Sequence, residues 1–571
     1  MKRPSRISLA SVGILCLAAT VLTITATTGG AAVKASHPCV VAVGSGDTPF
    51  VRDFNPYHSF GNVGSDFTAG GIYENLVITT AFGGGHAYNV LAKSLTWSKD
   101  GKTLTITVQP NAKWSNGKPV TNKDVLYSLT IGKVDKSLDH IGLTANNSNI
   151  AWVRLAGPGK VAIHFKQTDS TFVGSQLSSV WIVPQAVFSK AGDLTKWKNP
   201  NPVGSGPFTR VTRFNSQDYV LSKNPNYWQA GLPKVQCVER VAASSNDAAL
   251  LQQINGDADW SHNFYPNVET SYQAHDPAHY HNSYLTGNTP SGLFFDTTQY
   301  PYSLSAFRKG VSQAINRKDV SKLGEYGYAP PTTALGLEYL YPNWVDPSLK
   351  TLAKQLATYS PSAAKKTFTD AGFTYKSGDL YDPKGNKVSF QMHVIGGWSD
   401  WVASLQIISR NLQAVGIDAS VKLEPGWSEW QPNAMSTKFV TLLWTYGTQD
   451  VTPYAYFYAH YDPSQNLGAG VDSSATGNWE HYQNAQGATL LRQFKGTLDP
   501  NKQKQIAYKL EKIFLNDLPF IPLFPGPRWS TYSTKYFTGF PSWKNQYVDP
   551  IWTTWQQNEK ILLSLRPSSA K

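Results

Sequence analysis

Three histidines, His275, His279 and His281, lie together in the segment AHDPAHYHN and could bind a metal ion. Imidazole nitrogens are common zinc ligands, and zinc sites place them at regular spacings or combine them with cysteines. The chain has no HExxH motif and no CxxC pair that would complete such a site. A polar surface loop explains the histidines better than a metal site does, and we predict neither a metal nor any other cofactor.

Two acids, Glu424 and Glu429, flank the sequence PGW and could form the carboxylate pair of a glycoside hydrolase. Such a pair supplies an acid and a nucleophile or base to the two sides of a glycosidic bond. The segment indicates a loop, in which acids are usually solvated. The chain also lacks a GxxxxGKS/T phosphate loop and a GxSxG nucleophile elbow. We therefore predict that the protein is not an enzyme.

Aromatic residues are the third group with a chemical use, because ring faces stack on sugar rings and on other flat or apolar ligand groups. Of the 571 residues, 18 are Trp and 29 are Tyr, and the charged fraction is only 16%. Any one ring can equally belong to a core, where large aromatic residues usually pack. Six of these residues crowd one segment: Trp398, Trp401, Trp427, Trp430, Trp444 and Tyr446.

The elements that would position these rings alternate between strand and helix. An apolar stripe that begins near Asp400 predicts a helix, and Gly416 is a suitable residue to end it. This helix and the strands around it form a βαββ pattern, which indicates a largely independent α/β lobe. The apolar runs that predict the strands are residues 388–394, 419–423 and 439–444.

The N-terminus has the composition of a secretory signal, with three basic residues before an uncharged run over residues 7–32. We predict a signal peptide over residues 1–35, and an uncleaved membrane anchor is the alternative because the run is long. Neither Cys16 nor Cys39 has the preceding residues of a lipoprotein signal, so no lipid anchor is predicted. The mature protein is expected to be exported to the periplasmic or extracellular face of the cell membrane.

The net charge is positive but evenly spread. Removal of residues 1–35 removes four basic residues and no acid, so the formal charge falls from +13 to +9. The remaining sequence has no run of five like charges, which argues against an arm that binds nucleic acid. We predict a monomer with no nucleic-acid partner.

Residues 201–228, NPVGSGPFTRVTRFNSQDYVLSKNPNYW, combine a glycine turn, two strand-like runs and an aromatic end. Gly204 and Gly206 are expected to give this turn positive φ angles. The segment resembles the P-V-G-T-G-P-Y … N-P-x-Y-W element of family 5 extracellular solute-binding proteins, the peptide-binding receptors of ABC importers. Five further segments resemble elements of this family in the same order, and they are residues 73–76, 97–129, 250–260, 306–317 and 517–524.

The resemblance covers residues 38–545 and implies a bilobed α/β fold of the periplasmic-binding-protein type II, with an extra inserted subdomain. Two lobes of this kind close on a ligand. The chain is expected to cross between the lobes near residues 287–295 and 520–527. The implied division is residues 36–82, 203–286 and 520–571 for lobe 1, residues 83–202 for its inserted subdomain, and residues 287–519 for lobe 2.

Two cysteines, Cys39 and Cys237, remain after cleavage of the signal peptide, in a compartment where disulfides persist. Each lies in a strand-like run, and the resemblance implies that the two runs belong to one sheet. The two residues either form a disulfide or stay as separate buried thiols.

The resemblance also implies a function, that of a substrate-binding protein of an ABC transporter that delivers a solute to membrane permease subunits. Oligopeptide receptors of the family commonly carry W-G-A-D-Y-x-D-P, and the first Asp pairs with the α-ammonium group of the ligand. Here residues 443–453 read LWTYGTQDVTP, so Gly447 takes the place of that Asp and Asp450 matches the second. An oligopeptide is the predicted ligand. The alternatives are an oligosaccharide stacked on the rings, or a nickel complex, an opine or another solute.

The predicted ligand-binding residues come from both expected lobes. They are Tyr73, Glu74, Trp398, Trp427, Trp444, Tyr446 and Asp450. A different class of function, that of a secreted interaction or signalling protein without a role in transport, is compatible with the same fold.

Overall fold

The computed structural model divides the chain into two compact units, residues 1–37 and 38–571, and the fold described below is that of the second. The predicted signal segment lies outside the described residues. In the described part of the chain, no helix is both long and apolar enough to cross a membrane. The structure describes residues 37–45, 49–58, 66–82, 86–146, 148–435, 439–445, 451–466, 478–553 and 557–568.

The described residues form 22 strands. They are β1 (Cys39–Ser45), β2 (Val77–Thr80), β3 (His86–Asn89), β4 (Ala92–Trp97), β5 (Thr103–Val108), β6 (Ile150–Leu155), β7 (Lys160–Phe165), β8 (Phe208–Phe214), β9 (Asp218–Lys223), β10 (Cys237–Ala243), β11 (Trp260–Ser261), β12 (Tyr280–Asn282), β13 (Leu285–Phe295), β14 (Thr374–Lys376), β15 (Asp379–Tyr381), β16 (Ser389–Ile395), β17 (Asp418–Glu424), β18 (Thr441–Thr445), β19 (Phe520–Arg528), β20 (Thr531–Ser533), β21 (Phe537–Thr538) and β22 (Arg566–Pro567).

Fifteen α-helices alternate with these strands in the described residues. They are α1 (Asn122–Leu129), α2 (Phe172–Ser175), α3 (Gln185–Phe188), α4 (Asn246–Ile254), α5 (Val268–Ser271), α6 (Ser305–Ala314), α7 (Arg317–Asp319), α8 (Lys350–Ala357), α9 (Pro361–Asp370), α10 (Ser399–Gln413), α11 (Trp427–Met435), α12 (Tyr454–Tyr461), α13 (Ala485–Lys495), α14 (Pro500–Asp517) and α15 (Asn558–Ser564).

A seven-stranded sheet in the order β12-β20-β11-β1-β10-β9-β8 is the larger of the two main sheets. Strand β1 is parallel to both of its neighbours, β10 and β11, and all seven of its residues are buried. Such a continuous apolar strand is typical of the centre of a sheet that is covered on both faces.

The disulfide of the seven-stranded sheet joins two neighbouring strands. Cys39 and Cys237 lie opposite each other in the register of β1 and β10, with their Cα atoms 4.4 Å apart, and their sulfur atoms are bonded. The pairing confirms the first of the two states that the sequence left open. It links residues that are 198 positions apart in the chain.

The second main sheet has five strands in the order β17-β16-β18-β13-β19. Strand β16 is parallel to β17 and to β18, and β13 is antiparallel to β18 and β19. The predicted βαββ pattern is therefore present as β16, α10, β17 and β18. The two segments that were expected to cross between lobes are β13 and β19, which are hydrogen-bonded neighbours in this sheet.

A four-stranded sheet, β4-β5-β7-β6, lies within residues 83–202, the expected inserted subdomain. It has its own core, in which alternate residues such as Leu104, Ile106, Val161 and Ile163 are fully buried. Thr121 caps the start of helix α1, because its side chain accepts a hydrogen bond from the backbone N–H of Asp124.

The glycine turn before β8 is close to another backbone segment. A β-carbon added at Gly204 would lie 2.0 Å from the carbonyl oxygen of Ile72, and one at Gly206 would lie 2.3 Å from that of Gly71. Neither glycine has the positive φ that the sequence analysis expected. These glycines serve close backbone approach instead, and they fix the turn against the segment that contains Tyr73.

Candidate functional site

Tryptophan side chains gather at one edge of the five-stranded sheet. Trp398 follows the end of β16, Trp427 follows the end of β17, and Trp444 lies near the end of β18. Because β16 is parallel to both β17 and β18, the carboxyl ends of these three strands meet at the same edge. Loops at such an edge commonly form ligand sites in α/β folds.

Trp444 lies at the centre of the cluster. Its ring centroid is 4.6 Å from that of Trp430, 5.2 Å from Trp427 and 5.8 Å from Trp398. The rings of Trp401 and Trp479 are 5.7 and 5.8 Å away. A ring with five aromatic neighbours at these distances is firmly held, since each favourable pair contributes about 0.5–1.5 kcal/mol beyond its buried area.

The six rings divide into a partly exposed set and a buried set. Trp398, Trp427 and Trp444 are partly exposed, and we call these three the tryptophan platform. The other three are buried, with 9%, 1% and 5% of their surface exposed, and they are Trp401, Trp430 and Trp479. The platform is therefore backed by a layer of further rings.

The platform rings are stacked on one another with an offset. The planes of Trp398 and Trp427 are inclined to that of Trp444 by 29° and 34°, at centroid distances of 5.8 and 5.2 Å. The parts of the rings that stay exposed are apolar and suit the C–H face of a pyranose, an apolar side chain or a cation. The buried Nε1 of Trp430 has no hydrogen-bond partner among the described residues.

The sequence-predicted site residues are only partly brought together. The structure groups Trp398, Trp427 and Trp444, whereas Tyr446 and Asp450 lie outside the described residues. Trp479 was missed as a member of the cluster, because it follows none of the predicted strands. Only the high tryptophan content of the chain gave any signal of further rings.

Tyr73 lies in a different environment. Its side chain is fully buried in a core cluster that contains none of the six tryptophans. Its hydroxyl oxygen accepts a 2.6 Å hydrogen bond from Nδ2 of Asn199. Burial raises the pKa of Tyr73 above its usual value, so the phenol stays neutral.

Glu74 is also fully buried, and its partners come from the end of the segment 201–228. Oε1 accepts hydrogen bonds from the Tyr227 hydroxyl at 2.8 Å and from Trp228 Nε1 at 3.1 Å, and Oε2 accepts from the same indole at 3.0 Å. Burial raises the pKa of Glu74 to about 7, although these donors favour the charged form. The carboxyl group is thus already satisfied by the protein, and a role for it in ligand binding stays a prediction.

Glu424 and Glu429, the two acids that could form a glycoside-hydrolase pair, lie in a strand and a helix rather than in a loop. Glu424 ends β17, is 8% exposed and accepts a 2.8 Å hydrogen bond from Nδ1 of His393. Glu429 lies exposed in the first turn of α11. The sequence indicated a loop because Pro425 and Gly426 precede this helix and Pro432 lies inside it.

Two of the three clustered histidines contact other protein groups. Nδ1 of His279 lies 2.9 Å from Oδ1 of Asp276, and Nε2 of His281 lies 3.1 Å from the Thr534 hydroxyl. Among the described residues, no group of three metal-binding side chains has the geometry to hold an ion.

Comparison with known proteins gives the relatives of the chain. The model of the bacterial extracellular solute-binding proteins, family 5 Middle, matches residues 86–468. The glutathione-binding protein GsiB of Salmonella typhi is 26% identical over 470 residues, which cover 79% of this chain and 83% of that protein.

Two solved structures show the same fold. The mannohexaose-bound periplasmic oligopeptide-binding protein of Thermotoga maritima has a TM-score of 0.84 at 24% identity, over 93% of this chain and 99% of that one. The oligopeptide-binding protein AppA of Bacillus subtilis, in complex with a nonapeptide, has a TM-score of 0.76 at 17% identity, over 94% and 100%. These matches confirm the predicted bilobed type II periplasmic-binding-protein fold.

Proposed function

The chain belongs to family 5 of the bacterial extracellular solute-binding proteins, the receptors of ABC importers, and we propose that it captures its solute on the tryptophan platform. One observation carries this proposal. Three partly exposed rings lie together at the carboxyl edge of a parallel set of strands, with three buried rings behind them. Partly exposed apolar side chains that lie together often mark a binding site.

The capture involves no covalent chemistry. The seven-stranded sheet is the core of one lobe, with residues 83–202 inserted, and the five-stranded sheet is the core of the other. The antiparallel pair β13 and β19 connects them. Lobe closure over the platform removes the ligand from water, and the closed form, exported as a monomer, is presented to the permease subunits.

A short peptide is the ligand that the family supports best. The relative named above binds glutathione, a tripeptide, and AppA was solved with a nonapeptide. Side chains of a peptide can lie flat on the platform while its backbone bonds to polar groups of the lobes. Since Gly447 replaces the usual first Asp, recognition of the α-ammonium group would have to come from Asp450 or from the ring faces.

An oligosaccharide is a second candidate, since exposed parts of tryptophan rings can pack on pyranose faces. The similar Thermotoga maritima protein was solved with mannohexaose. Sugar recognition would not need the missing carboxylate.

A ligand screen tests both candidates. The mature chain is titrated by calorimetry with glutathione, with peptides of two to nine residues and with mannohexaose, and each is also added in thermal unfolding. We expect one class to bind with 1:1 stoichiometry and to raise the unfolding midpoint with dose. If no member of either class binds, the ligand proposal is wrong. If a bound solute is taken up equally well by cells that lack the protein, its role is interaction or signalling rather than import.

A further inference from the structure

A close contact between segments from the two main sheets lies directly before Trp398. Gly397 follows β16 of the five-stranded sheet, and Ser244 follows β10 of the seven-stranded sheet. A β-carbon added at Gly397 would lie 2.7 Å from the carbonyl oxygen of Ser244 and 3.4 Å from the Cα atom of Ser245. The first distance is shorter than real β-carbons tolerate, so only glycine permits this approach.

The backbone of Gly397 does not itself require glycine. Its φ lies outside the left-handed region, so any residue could adopt its conformation. The constraint at this position comes entirely from the opposing segment. Glycine is therefore explained by the contact between the two sheets.

Hydrogen bonds cross the same contact. The backbone N–H of Asn246, the first residue of α4, donates to the carbonyl oxygen of Gly397 at 3.2 Å. This N–H is one of those at a helix start that have no partner within the helix. The Asn246 side chain also donates from Nδ2 to Ser399 Oγ at 3.2 Å and to Asp400 Oδ1 at 3.4 Å. The start of one helix is thus completed by groups that belong to the other sheet.

The Asn246 half of the contact is held by its own surroundings. Oδ1 of Asn246 accepts hydrogen bonds from Asn263 Nδ2 at 2.9 Å and from Ser45 Oγ at 3.3 Å. The Ser245 side chain caps α4 by accepting from the N–H of Ala248. Asn246 is only 3% exposed, so its amide is oriented before it meets the second segment.

The opposing half makes a further bond across the contact. Asp400 lies in the first turn of α10 and is 4% exposed. Its Oδ2 accepts a 3.0 Å hydrogen bond from Nε1 of Trp529, which directly follows the connecting strand β19 and packs on Phe264 and Tyr284. Segments that meet through a few bonds can separate and rejoin as units.

We propose that residues 244–246 and 397–400 form a clasp that joins when the lobes close on a ligand, and that Gly397 and Asn246 thereby set the affinity without touching the solute. The inference rests on the proposed function. The apparent affinity is the affinity of the closed form multiplied by the fraction of molecules that can reach this form. A change that opposes only closure therefore weakens the binding of every ligand. The clasp is adjacent to Trp398, so a solute on the platform is enclosed beside it.

Two neighbouring glycines provide a matched pair of variants. Gly397→Ala places a methyl group against Ser244, whereas a β-carbon at Gly396 has its nearest neighbours at 3.5 and 3.6 Å, which is ordinary contact. With glutathione and mannohexaose as probes, we expect Gly397→Ala to weaken the binding of whichever probe binds at least tenfold. Gly396→Ala should bind as the wild type does. Equal affinity of the two variants would overturn the clasp.

A milder variant tests the clasp without the steric clash that Gly397→Ala introduces. Ser399→Ala removes one acceptor of the Asn246 side chain on an exposed residue. A hydrogen bond of this kind corresponds to a loss of about threefold to tenfold in affinity. An unchanged affinity in Ser399→Ala together with an unchanged unfolding midpoint would count against the clasp.

Hydrogen exchange separates failure of the clasp from failure of the ligand proposal. The exchange of the Asn246 amide is followed in the full mature chain without ligand, for wild type, Gly396→Ala and Gly397→Ala. The clasp predicts faster exchange at this amide in Gly397→Ala only, and exchange that slows when a probe binds the wild type. Equal exchange in the three proteins overturns the clasp, whether or not a probe binds. If the Asn246 amide exchanges faster in Gly397→Ala only, and neither probe binds, the clasp is supported and the proposed ligands are rejected.

Discussion

The Glu74 pocket and the tryptophan platform differ in how fully their side chains are provided with partners from the protein itself. Glu74 is fully enclosed, and its two carboxylate oxygens accept from Tyr227 and Trp228. The platform rings remain partly exposed and have contacts with other rings on one side. A side chain whose bonds are already made has little to offer a solute, whereas an exposed apolar face gains from being covered.

The family signature and the proposed ligand site are separate parts of the molecule. Tyr227 and Trp228, the end of the signature segment 201–228, bind Glu74 and so hold together two segments that are distant in the sequence. The platform instead uses residues at strand ends in the other sheet. We therefore propose a structural role for Tyr73 and Glu74 and a binding role for Trp398, Trp427 and Trp444.

Among the variants that test this comparison, Glu74→Ala is expected to change the free energy of unfolding most. The change leaves the buried donors of Tyr227 and Trp228 without an acceptor, and each unsatisfied group costs about 1–3 kcal/mol. We expect the free energy of unfolding to fall by roughly 4 kcal/mol in urea titrations, while the folded fraction binds ligand with unchanged affinity. A stable variant that has lost ligand affinity would instead place Glu74 in the binding site.

The next largest effect is expected from Trp444→Ala, which acts on both properties. Because the ring contacts five other tryptophans, its removal leaves a cavity, and we expect a loss of about 3 kcal/mol in unfolding free energy together with weaker binding. Trp444→Phe should recover much of the stability. If Trp444→Ala melts as the wild type does, the ring is not the centre of the cluster.

Measuring stability as a function of pH tests the Glu74 pocket alone, because Glu74 can ionise and the tryptophans of the platform cannot. Burial raises the pKa of Glu74 from 4.5 to about 7, and burial also raises the pKa of its neighbour Glu559 on α15 well above the usual value. Since the folded pKa is the higher one, the folded state favours the protonated form, and stability falls as pH rises between about 4.5 and 7. The loss is on the order of 3 kcal/mol.

The control for this titration is Glu74→Gln, which cannot ionise. Asp400 and Glu511 also have pKa values that burial raises, to about 6 and about 8, and they contribute to the same slope in both proteins. The difference between the two unfolding curves therefore reports the ionisation of Glu74 together with the effect of its charge on Glu559. Parallel curves over this range would show that Glu74 keeps its ordinary pKa and is open to solvent.

The sequence predicted much of the second lobe, because its signals are local. The strands expected at residues 388–394, 419–423 and 439–444 are found as β16, β17 and β18, with ends that shift by one or two residues. Helix α11 was missed, since Pro425, Gly426 and Pro432 are residues that usually interrupt a helix. Its absence from the prediction placed Glu429 in a loop.

What the sequence could not predict depends on contacts between distant residues. Glu74 receives its hydrogen bonds from residues more than 150 positions away, so the motif alone could not show that its carboxylate is occupied. The same holds for Trp479, which joins the cluster from outside the predicted strands. Residue type supplied the candidates, and only the tertiary structure could separate buried from accessible ones.

The central claim is that the solute binds on the platform, and calorimetric titration of Trp427→Ala tests it most directly. Trp427 lies at the edge of the cluster, with ring contacts to Trp430 and Trp444, so its removal should change the unfolding midpoint little. The control is Trp543→Ala, which removes a ring that is 55% exposed and outside the cluster.

We predict that Trp427→Ala weakens the binding of the solute found in the screen at least tenfold, which corresponds to about 1.4 kcal/mol, and that Trp543→Ala binds as the wild type does. Equal affinity of Trp427→Ala and the wild type would contradict the account and place the ligand site elsewhere.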